Sequence, residues 1–186
     1  IAGVDEVGKG CLFGPVFAGA VILSKANELK LLSKGLKDSK KLNSRQRNNL
    51  VPLIKKNSIA WSLGQASARE IDSIGIRQAT EKAMMRALDK FSSQPDLILV
   101  DGILPIRLWP GKQKTQIRGE SHFPSIAAAS VLAKEARDEL IKQLACKYTF
   151  YGLERNKGYG TEIHRRNLIQ AGATKLHRKS FLSKLQ

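Results

Sequence analysis

The chain has 186 residues, and its 32 lysines and arginines outnumber its 16 aspartates and glutamates, so the formal net charge is +16. A hydrophobic share of 42% is enough for the core of one ordinary domain. The sequence excludes a membrane helix, because no apolar run approaches about 18 residues. Two cysteines outside any CxxC pair, with three histidines, do not form the pattern of a structural zinc site.

The first third of the chain predicts three strands and a helix. Residues 1–4 predict a strand that runs into Asp5, and the apolar run at 16–23 predicts a buried strand joined to it by a glycine-rich turn. After a basic loop, Ser44 is the predicted N-cap of a helix that ends near residue 56. Residues 59–66 predict the third strand.

The remainder of the chain alternates helices with one further strand. Apolar side chains at helical spacing predict a helix over residues 76–91, and residues 96–100 predict a central parallel strand. Pro124 suits the first turn of a long helix, whose alanines at 127–129 would let it approach a sheet closely. A basic tail follows, with a helix near 161–170. This order predicts an α/β protein with a mixed sheet and helices packed on it.

Four carboxylates stand out in this basic sequence. Asp5 and Glu6 lie in the first strand region, Asp101 ends the fourth, and Glu120 precedes the long helix. Sites in such sheets gather at the carboxyl ends of strands, so we expect Asp5 and Asp101 to be adjacent. Because successive strand residues point to opposite faces, Asp5 and Glu6 share one site only if the strand ends or bulges there, or if Glu6 offers its backbone carbonyl.

An acidic cluster inside a positive surface predicts hard divalent cations and a phosphate-rich substrate. Two such ions can align water, phosphate and leaving oxygen for in-line displacement. Each acid also has a plainer interpretation: Glu6 as a solvated loop acid, Asp101 as part of an Asp-Gly turn, and Glu120 as an acid favoured near a helix N-terminus.

Two alternative functions fit the same residues. If the acids are turn and cap residues, the protein is a non-catalytic RNA-binding protein whose binding is unaffected by a chelator. The other alternative is a Holliday-junction resolvase of the same broad fold, also with clustered acids. It would act as a dimer on branched DNA, and its activity would not depend on the 2′-hydroxyl of a ribose.

Six segments carry a resemblance to a known family, namely DEVGKGCLFGPV, LKDSKKL, LILVDG, SIAAASVLAKEARD, NKGYGTEIH and HRKSF. In this order, over essentially the whole chain, they resemble the type 2 ribonucleases H, the ribonuclease HII family. The resemblance implies a ribonuclease-H-like catalytic domain over residues 1–150, with a mixed sheet flanked by helices. It also implies a C-terminal helical extension over residues 151–186, packed as part of the same unit.

The activity that the resemblance implies is endonucleolytic hydrolysis with Mg²⁺ or Mn²⁺. Members cut the RNA strand of RNA–DNA hybrids and also cut 5′ to single ribonucleotides in duplex DNA, as in ribonucleotide excision repair, leaving 3′-hydroxyl and 5′-phosphate ends. By motif, Asp5, Glu6 and Asp101 match three acids of the family's metal site. Glu120 stands where the family usually has Asp, and we hypothesise that the longer side chain favours Mn²⁺.

The motif Gly8-Lys9-Gly10 stands where the family usually has Gly-Arg-Gly. With the tyrosine that matches Tyr159, it implies recognition of the junction between ribose and deoxyribose, in which backbone groups bind the 2′-hydroxyl and the ring stacks on the next sugar. Lys lacks the planar donor fork of Arg, and Gly-Lys-Gly is more typical of ribonuclease HIII, which acts mainly on longer hybrids. Tyr159 favours HII, and HIII-like specificity is the alternative.

The remaining basic residues are predicted to bind the substrate backbone or to support the fold. Lys40 and Lys41 are predicted to contact phosphates. Arg137 and Asp138 are expected to form structural pairs on the long helix, and His164 and His177 to serve structure or phosphate contact.

The expected partners are RNA–DNA hybrids and duplex DNA that contains ribonucleotides. Family precedent favours a monomer, and no motif in the tail supports a sliding-clamp partner. Unpaired cysteines and the lack of a recognisable leader predict a cytoplasmic protein.

Overall fold

A five-stranded mixed sheet forms the centre of the computed structural model, which describes residues 1–183. The strand order is β3-β2-β1-β4-β5. β1, β2 and β3 are antiparallel neighbours, and β1, β4 and β5 run parallel to one another. The strands are Ala2–Val7 (β1), Val16–Ile22 (β2), Ala60–Ala66 (β3), Ile98–Asp101 (β4) and Gln113–Gln116 (β5).

Helices cover both faces of this sheet. α3 packs on one face with the apolar side chains of β1, β2 and β4. α1, α2 and α4 pack on the other face. The helices of the described residues are Lys25–Ser33 (α1), Ser44–Asn57 (α2), Ala68–Leu88 (α3), Pro124–Ala145 (α4), Leu153–Asn156 (α5), Glu162–Ala171 (α6) and Lys179–Leu182 (α7).

The close approach of α4 to the sheet depends on two glycines. A Cβ at Gly3 would overlap the backbone of Ser125 and Ile126, and a Cβ at Gly19 would overlap the carbonyl oxygen of Ala129. The contact is therefore backbone against backbone, as the alanine run of this helix predicted. It brings the first two turns of α4 directly against β1 and β2.

The described part of the C-terminal region packs on the far end of α4. Leu153 and Leu168 join Phe13, Ile141 and other apolar side chains in a separate small core. Tyr151 donates a hydrogen bond to the carbonyl oxygen of Gly172 within this region. The last three residues of the predicted extension, 184–186, lie outside the described residues.

Several boundaries differ from the sequence prediction. β1 does not end at Asp5 but continues to Val7 with unbroken pairing to β2. The N-cap of α2 is Asn43 rather than Ser44, because Asn43 and Gln46 form a reciprocal capping box. α3 begins at Ala68, and Gly75, with φ of 81°, interrupts its helical backbone just before the predicted start.

Two elements that precede the C-terminal tail, α1 and β5, were not predicted, and neither were the short helices α5 and α7 of the described tail. α1 buries only Leu31, so its apolar periodicity is weak. β5 has the sequence QKTQ and lies at the sheet edge, where no buried face imposes an alternating pattern. Among the described residues, no helix is long and apolar enough to cross a membrane.

We predict that Gly19→Ala lowers the free energy of unfolding by about 1–3 kcal/mol, because the new methyl group has to displace the backbone of α4. Gly10→Ala is the matched control, since no heavy atom lies within 4 Å of a Cβ at Gly10. Urea unfolding of both variants measures the difference. Equal stabilities of the two variants would show that α4 is not closely packed at Gly19.

Candidate active site

Asp5 and Glu6 lie on opposite faces of β1. The sequence analysis predicted a shared site if the strand ends or bulges at these residues, or if Glu6 offers its backbone carbonyl. The strand neither ends nor bulges there, because Asp5 pairs with Gly19 and Glu6 pairs with Ala18 in regular register. Asp5 is buried towards α4. Glu6 faces the α3 side, where it lines a cavity of about 360 Å³ together with Lys9 and Asp101.

Asp5 is a buried carboxyl group that lies against the second turn of α4. It accepts a hydrogen bond from Ser130, whose hydroxyl is also 2.8 Å from the hydroxyl of Ser39. Burial raises the pKa of Asp5 well above its ordinary value, and the negative charges of Glu6 and Asp101 add to that shift. A cation beside Asp5 would oppose both of these effects and lower the pKa again.

Asp101 and Glu120 form a hydrogen-bonded carboxyl pair. The backbone N–H of Gly119 donates to Asp101 Oδ1 at 2.7 Å. Burial raises the pKa of Asp101 to about 6, and its hydrogen bond to Glu120 contributes to the rise. Burial opposes ionisation of Glu120 too, but the bond from Asp101 and the nearby charge of Lys40 outweigh it and lower the pKa of Glu120.

Two lysines neutralise the outer side of the acidic cluster. Lys9 Nζ is 2.9 Å from Glu6 Oε1, and Lys40 Nζ is 3.5 Å from Glu120 Oε1. Both lysine side chains are largely exposed, so each can leave its partner at little cost. Lys41 is the exposed neighbour of Lys40 in the short 3-10 turn Ser39–Lys41.

The four carboxylates share one region without forming a ready-made coordination shell. Within residues 1–183, no group of three or more His, Cys, Asp or Glu side chains is arranged so that it could hold a metal ion. Asp101 is nevertheless the neighbour of the other three acids. Oε2 of Glu120 is buried and has no hydrogen-bond partner in the described part of the chain. These oxygen donors fit the chemistry of a hard divalent cation.

The predicted junction-reading residues lie together beside this cluster. Gly8, Lys9 and Gly10 follow β1 directly, and Cys11 forms an isolated bridge with Tyr159. Gly8 is buried, with φ of 88°, and a side chain there would overlap Arg137. Gly10 is exposed and open to solvent, and the ring of Tyr159 is 40% exposed. A sugar–phosphate backbone can therefore reach both.

The prediction of structural pairs on the long helix was right for Asp138 and wrong for Arg137. Arg137 does not form an ion pair with its neighbour Asp138, which instead accepts from Lys134 at 2.7 Å. The fully buried guanidinium of Arg137 donates to three backbone carbonyl oxygens, those of Phe13, Pro15 and Lys157.

The two histidines cannot contact phosphate, because both are buried. Their Nε2 atoms are 3.1 Å apart. His164 Nδ1 donates to the carbonyl oxygen of Tyr159, and His177 Nδ1 accepts from the backbone N–H of Thr174. These partners fix the tautomers, so His177 Nε2–H donates to His164 Nε2. Both histidines serve structure.

Sequence reasoning missed three polar residues of this region. Ser130 interrupts an apolar stretch of α4, and Ser39 precedes the two lysines of the 3-10 turn. A polar residue on a buried helix face was the available signal for Ser130. Arg178, which is fully buried, had no signal apart from its motif.

The fold and the acidic site together define a class, the phosphodiester-cleaving hydrolases of ribonuclease-H-like architecture. The chain belongs to the ribonuclease HII family, whose sequence model matches residues 2–184. Ribonuclease HII of Prochlorococcus marinus strain NATL1A is 83% identical over 186 residues, covering 100% of this chain and 95% of that protein. The protein of strain SARG is 64% identical over 185 residues, covering 100% and 97%.

Solved structures show the same fold. The ribonuclease H2 of Pyrococcus horikoshii matches with a TM-score of 0.82 at 24% identity, over 99% of this chain and 95% of that one. The ribonuclease HII of Archaeoglobus fulgidus, solved in a complex with PCNA, gives a TM-score of 0.82 at 26% identity over 100% and 96%. A Bst ribonuclease HIII with Mn²⁺ gives 0.76 at 19% identity, over 97% and 63%.

Family membership makes this chain an endonuclease of the ribonuclease H type. It is a hydrolase of a class that acts on RNA–DNA hybrids and uses divalent metal ions. The predicted fold class is confirmed, with a mixed sheet, flanking helices and a helical C-terminal region.

We predict that stability falls as the pH drops from about 6.5 towards 4, because of the buried histidine pair. Burial lowers the pKa of His177 to about 4, with the neighbouring His164 contributing, and burial also lowers the pKa of His164. In this window the unfolded chain binds protons that the folded chain excludes, which costs up to about 1.4 kcal/mol per pH unit for each histidine.

Urea unfolding across this pH range, compared between the wild type and His177→Gln, isolates the effect. The variant should show a smaller loss of stability on acidification. His122→Gln, which replaces an exposed histidine, is the control and should behave as the wild type does. An identical pH dependence for the wild type and His177→Gln would contradict the assignment.

Proposed function

We propose that the protein cuts the RNA strand of RNA–DNA hybrids and also cuts duplex DNA 5′ to a single ribonucleotide, by two-metal-ion hydrolysis. The observation that carries the proposal is the contiguity of the acidic cluster with the Gly8–Gly10 loop and Tyr159. Lys9 joins the two, because its ammonium contacts Glu6 while its backbone belongs to the loop. A ribose bound at the loop would place its phosphate beside the carboxylates.

The proposed ligands of Mg²⁺ or Mn²⁺ are Asp5, Glu6, Asp101 and Glu120. Bound cations would stabilise charge on the attacking and leaving oxygens of the phosphodiester. Asp101, with a pKa of about 6, loses the proton that it shares with Glu120 at neutral pH, which leaves both groups as acceptors. Water would attack the phosphorus and the bond between phosphorus and the 3′ oxygen would break, so the 3′ oxygen leaves as a hydroxyl and the phosphate stays on the 5′ end of the other fragment.

Substrate binding is assigned to the basic and glycine-rich residues around the cluster. Backbone groups of Gly8, Lys9 and Gly10 would recognise the 2′-hydroxyl, the group that distinguishes RNA from DNA. The ring of Tyr159 would stack on the following deoxyribose. Lys40 and Lys41 would contact phosphates, and the net charge of +16 would draw the polyanion to this face.

HIII-like specificity for longer hybrids is the second candidate, and one observation favours it. Lys9 pairs with Glu6 at 2.9 Å, and even when it leaves that partner, a lysine cannot add the second planar donor that an arginine would offer to a sugar or phosphate. Recognition of a lone ribonucleotide would then depend on backbone groups and Tyr159 alone.

Cleavage of end-labelled duplexes tests the proposal. One duplex contains a single ribonucleotide and the other is a full RNA–DNA hybrid, and each is incubated with Mg²⁺, Mn²⁺ or a chelator. Metal-dependent cutting 5′ to the lone ribonucleotide is the expected result. Cutting of the hybrid alone would establish the HIII-like alternative, and no cutting with either metal would contradict the proposed activity.

We predict that Lys9→Arg raises cleavage at a lone ribonucleotide relative to cleavage of the hybrid. The guanidinium adds a second donor while it keeps the charge that faces Glu6, and one such charged hydrogen bond corresponds to about tenfold in rate. The ratio of kcat/KM values on the two duplexes measures the change. Lys41→Arg, at an exposed position next to Lys40, is the control for a general gain in phosphate affinity.

We predict that Glu120→Asp shifts activity towards Mg²⁺, whose near-octahedral geometry is stricter than that of Mn²⁺. The shorter side chain moves the carboxylate away from Lys40 and alters the oxygen whose partner is missing. The ratio of initial rates in Mg²⁺ and Mn²⁺ is the measurement. A ratio that equals that of the wild type would contradict the hypothesis about Glu120.

The proposed cellular role is the removal of ribonucleotides from DNA in the cytoplasm. The thiols of Cys11 and Cys146 are free, which fits a reducing compartment. We also propose that the catalytic region over 1–150 and the extension over 151–186 act as one unit, since the described part of the extension holds the residue that matches the family's junction tyrosine.

A further inference from the structure

Two consecutive buried residues of the C-terminal region, His177 and Arg178, each reach one half of the proposed junction-reading site. Both are almost completely inaccessible to solvent, although the chain is basic and most of its arginines are exposed. His177 also forms an isolated bridge with Phe13, next to the Gly8–Gly10 loop. A role in phosphate contact is excluded by burial, so these residues need another explanation.

Arg178 donates hydrogen bonds to two backbone carbonyl oxygens of the segment that follows β1. Its Nη1 donates to the carbonyl oxygen of Lys9 at 2.9 Å, and its Nε donates to that of Gly14 at 2.9 Å. The C=O and N–H of a trans peptide point in opposite directions. Fixing the carbonyl of Lys9 inwards therefore directs the N–H of Gly10 outwards, to the side that is open to solvent.

His177 supports the other half of the site, Tyr159, through its hydrogen bond to His164. The carbonyl oxygen of Tyr159 accepts from His164 Nδ1 at 2.9 Å, and His164 in turn accepts from His177. The dipeptide His177-Arg178 thus supports both Gly10 and Tyr159, in addition to the bridge between Cys11 and Tyr159 that joins the two halves directly. A ribose–deoxyribose step has to fit between Gly10 and Tyr159, so its recognition depends on their spacing.

Asp72 on α3 anchors this dipeptide from outside. Its carboxylate accepts hydrogen bonds from the backbone N–H groups of Lys179 and Ser180, at 3.0 and 2.9 Å, and from the hydroxyl of Ser180 at 2.7 Å. The contact is exposed, and it lies immediately after Arg178 in the chain. Removing it loosens the segment without opening the core.

We propose that Arg178 is a positioning residue for recognition of single ribonucleotides, and that Asp72 holds it in register from α3. The inference rests on the proposed junction-reading role of Gly8–Gly10 and Tyr159. It adds that the described C-terminal segment is part of the specificity site although it does not touch the substrate. Its loss should affect the lone ribonucleotide more than the hybrid, in which neighbouring riboses supply further contacts.

The test uses three variants of the full chain. Arg178→Lys keeps the charge but lacks the fork that spans two carbonyl oxygens, and Asp72→Ala removes the external anchor. Glu70→Ala is the matched control, because Glu70 is an acid two residues before Asp72 on α3 but pairs with Lys82 and Arg86 rather than with the C-terminal segment. Thermal melts confirm that each variant is folded.

Two readouts are compared. The ratio of kcat/KM on the lone ribonucleotide to kcat/KM on the hybrid should fall about tenfold in Arg178→Lys, as expected for one lost charged hydrogen bond, and should fall in the same direction in Asp72→Ala. Hydrogen exchange should accelerate in peptides that cover residues 8–15 and 157–161. Glu70→Ala should leave both readouts within about twofold of the wild type.

The outcomes separate this inference from the proposed function. Unchanged exchange in residues 8–15 in folded Arg178→Lys would overturn the positioning role, whatever the activity. Faster exchange with an unchanged substrate ratio would also overturn it, because the loop would then be loosened without consequence for specificity. A wild-type enzyme that cuts only hybrids would refute junction reading itself, while the exchange data would still decide whether Arg178 positions the loop.

Discussion

The backbone contact between α4 and the strands β1 and β2 is the constraint on which the rest of this structure depends. Gly3 and Gly19 permit it, since any side chain at either position would overlap the helix backbone. The contact places Ser130 against Asp5 and, farther along the same helix, Arg137 beneath the loop that follows β1. This one packing contact therefore supports both the acidic cluster and the Gly8–Gly10 loop.

Electrostatic repulsion within the acidic cluster explains how the site is prepared for its chemistry. Burial and neighbouring charge raise the pKa values of Asp5 and Asp101, so the folded protein holds carboxylates that would be more stable with a cation nearby. Exposed Lys9 and Lys40 provide part of that charge, and both can swing away. The apolar core therefore has to offset the repulsion among these four acids, which costs the folded protein some stability.

Much of the fold was predictable because its signals are local. Each signal lies within a few neighbouring residues: the apolar run of β2, Pro124 at the start of α4, and the helical spacing of the second part of α3. β5 and α1 were not predictable in this way, since neither buries a periodic apolar face. The continuation of β1 through Asp5 is set by its pairing with β2, which lies beyond the reach of a local pattern.

The site shows the same division between local and long-range information. The proximity of Asp5 to Asp101 was predicted from their expected places at the ends of two strands, and the structure makes them neighbours through the parallel pairing of β1 with β4, in which Val4 lies opposite Val100. The supporting contacts of Arg137, His177 and Arg178 join residues more than a hundred positions apart or cross between elements whose order in space the sequence does not state. A sequence motif can mark such residues, but only the fold shows that the two arginines bind carbonyl oxygens and that His177 pairs with His164, so that none of the three contacts phosphate.

Anomalous diffraction from crystals grown with Mn²⁺ would test the central claim most directly, since it locates the ions without reference to activity. The account predicts Mn²⁺ peaks among Asp5, Glu6, Asp101 and Glu120, with Lys9 and Lys40 displaced from their acidic partners. Peaks elsewhere on the protein, or a cluster that keeps both lysine contacts and holds no ion at saturating Mn²⁺, would contradict the claim that these four carboxylates form the metal site.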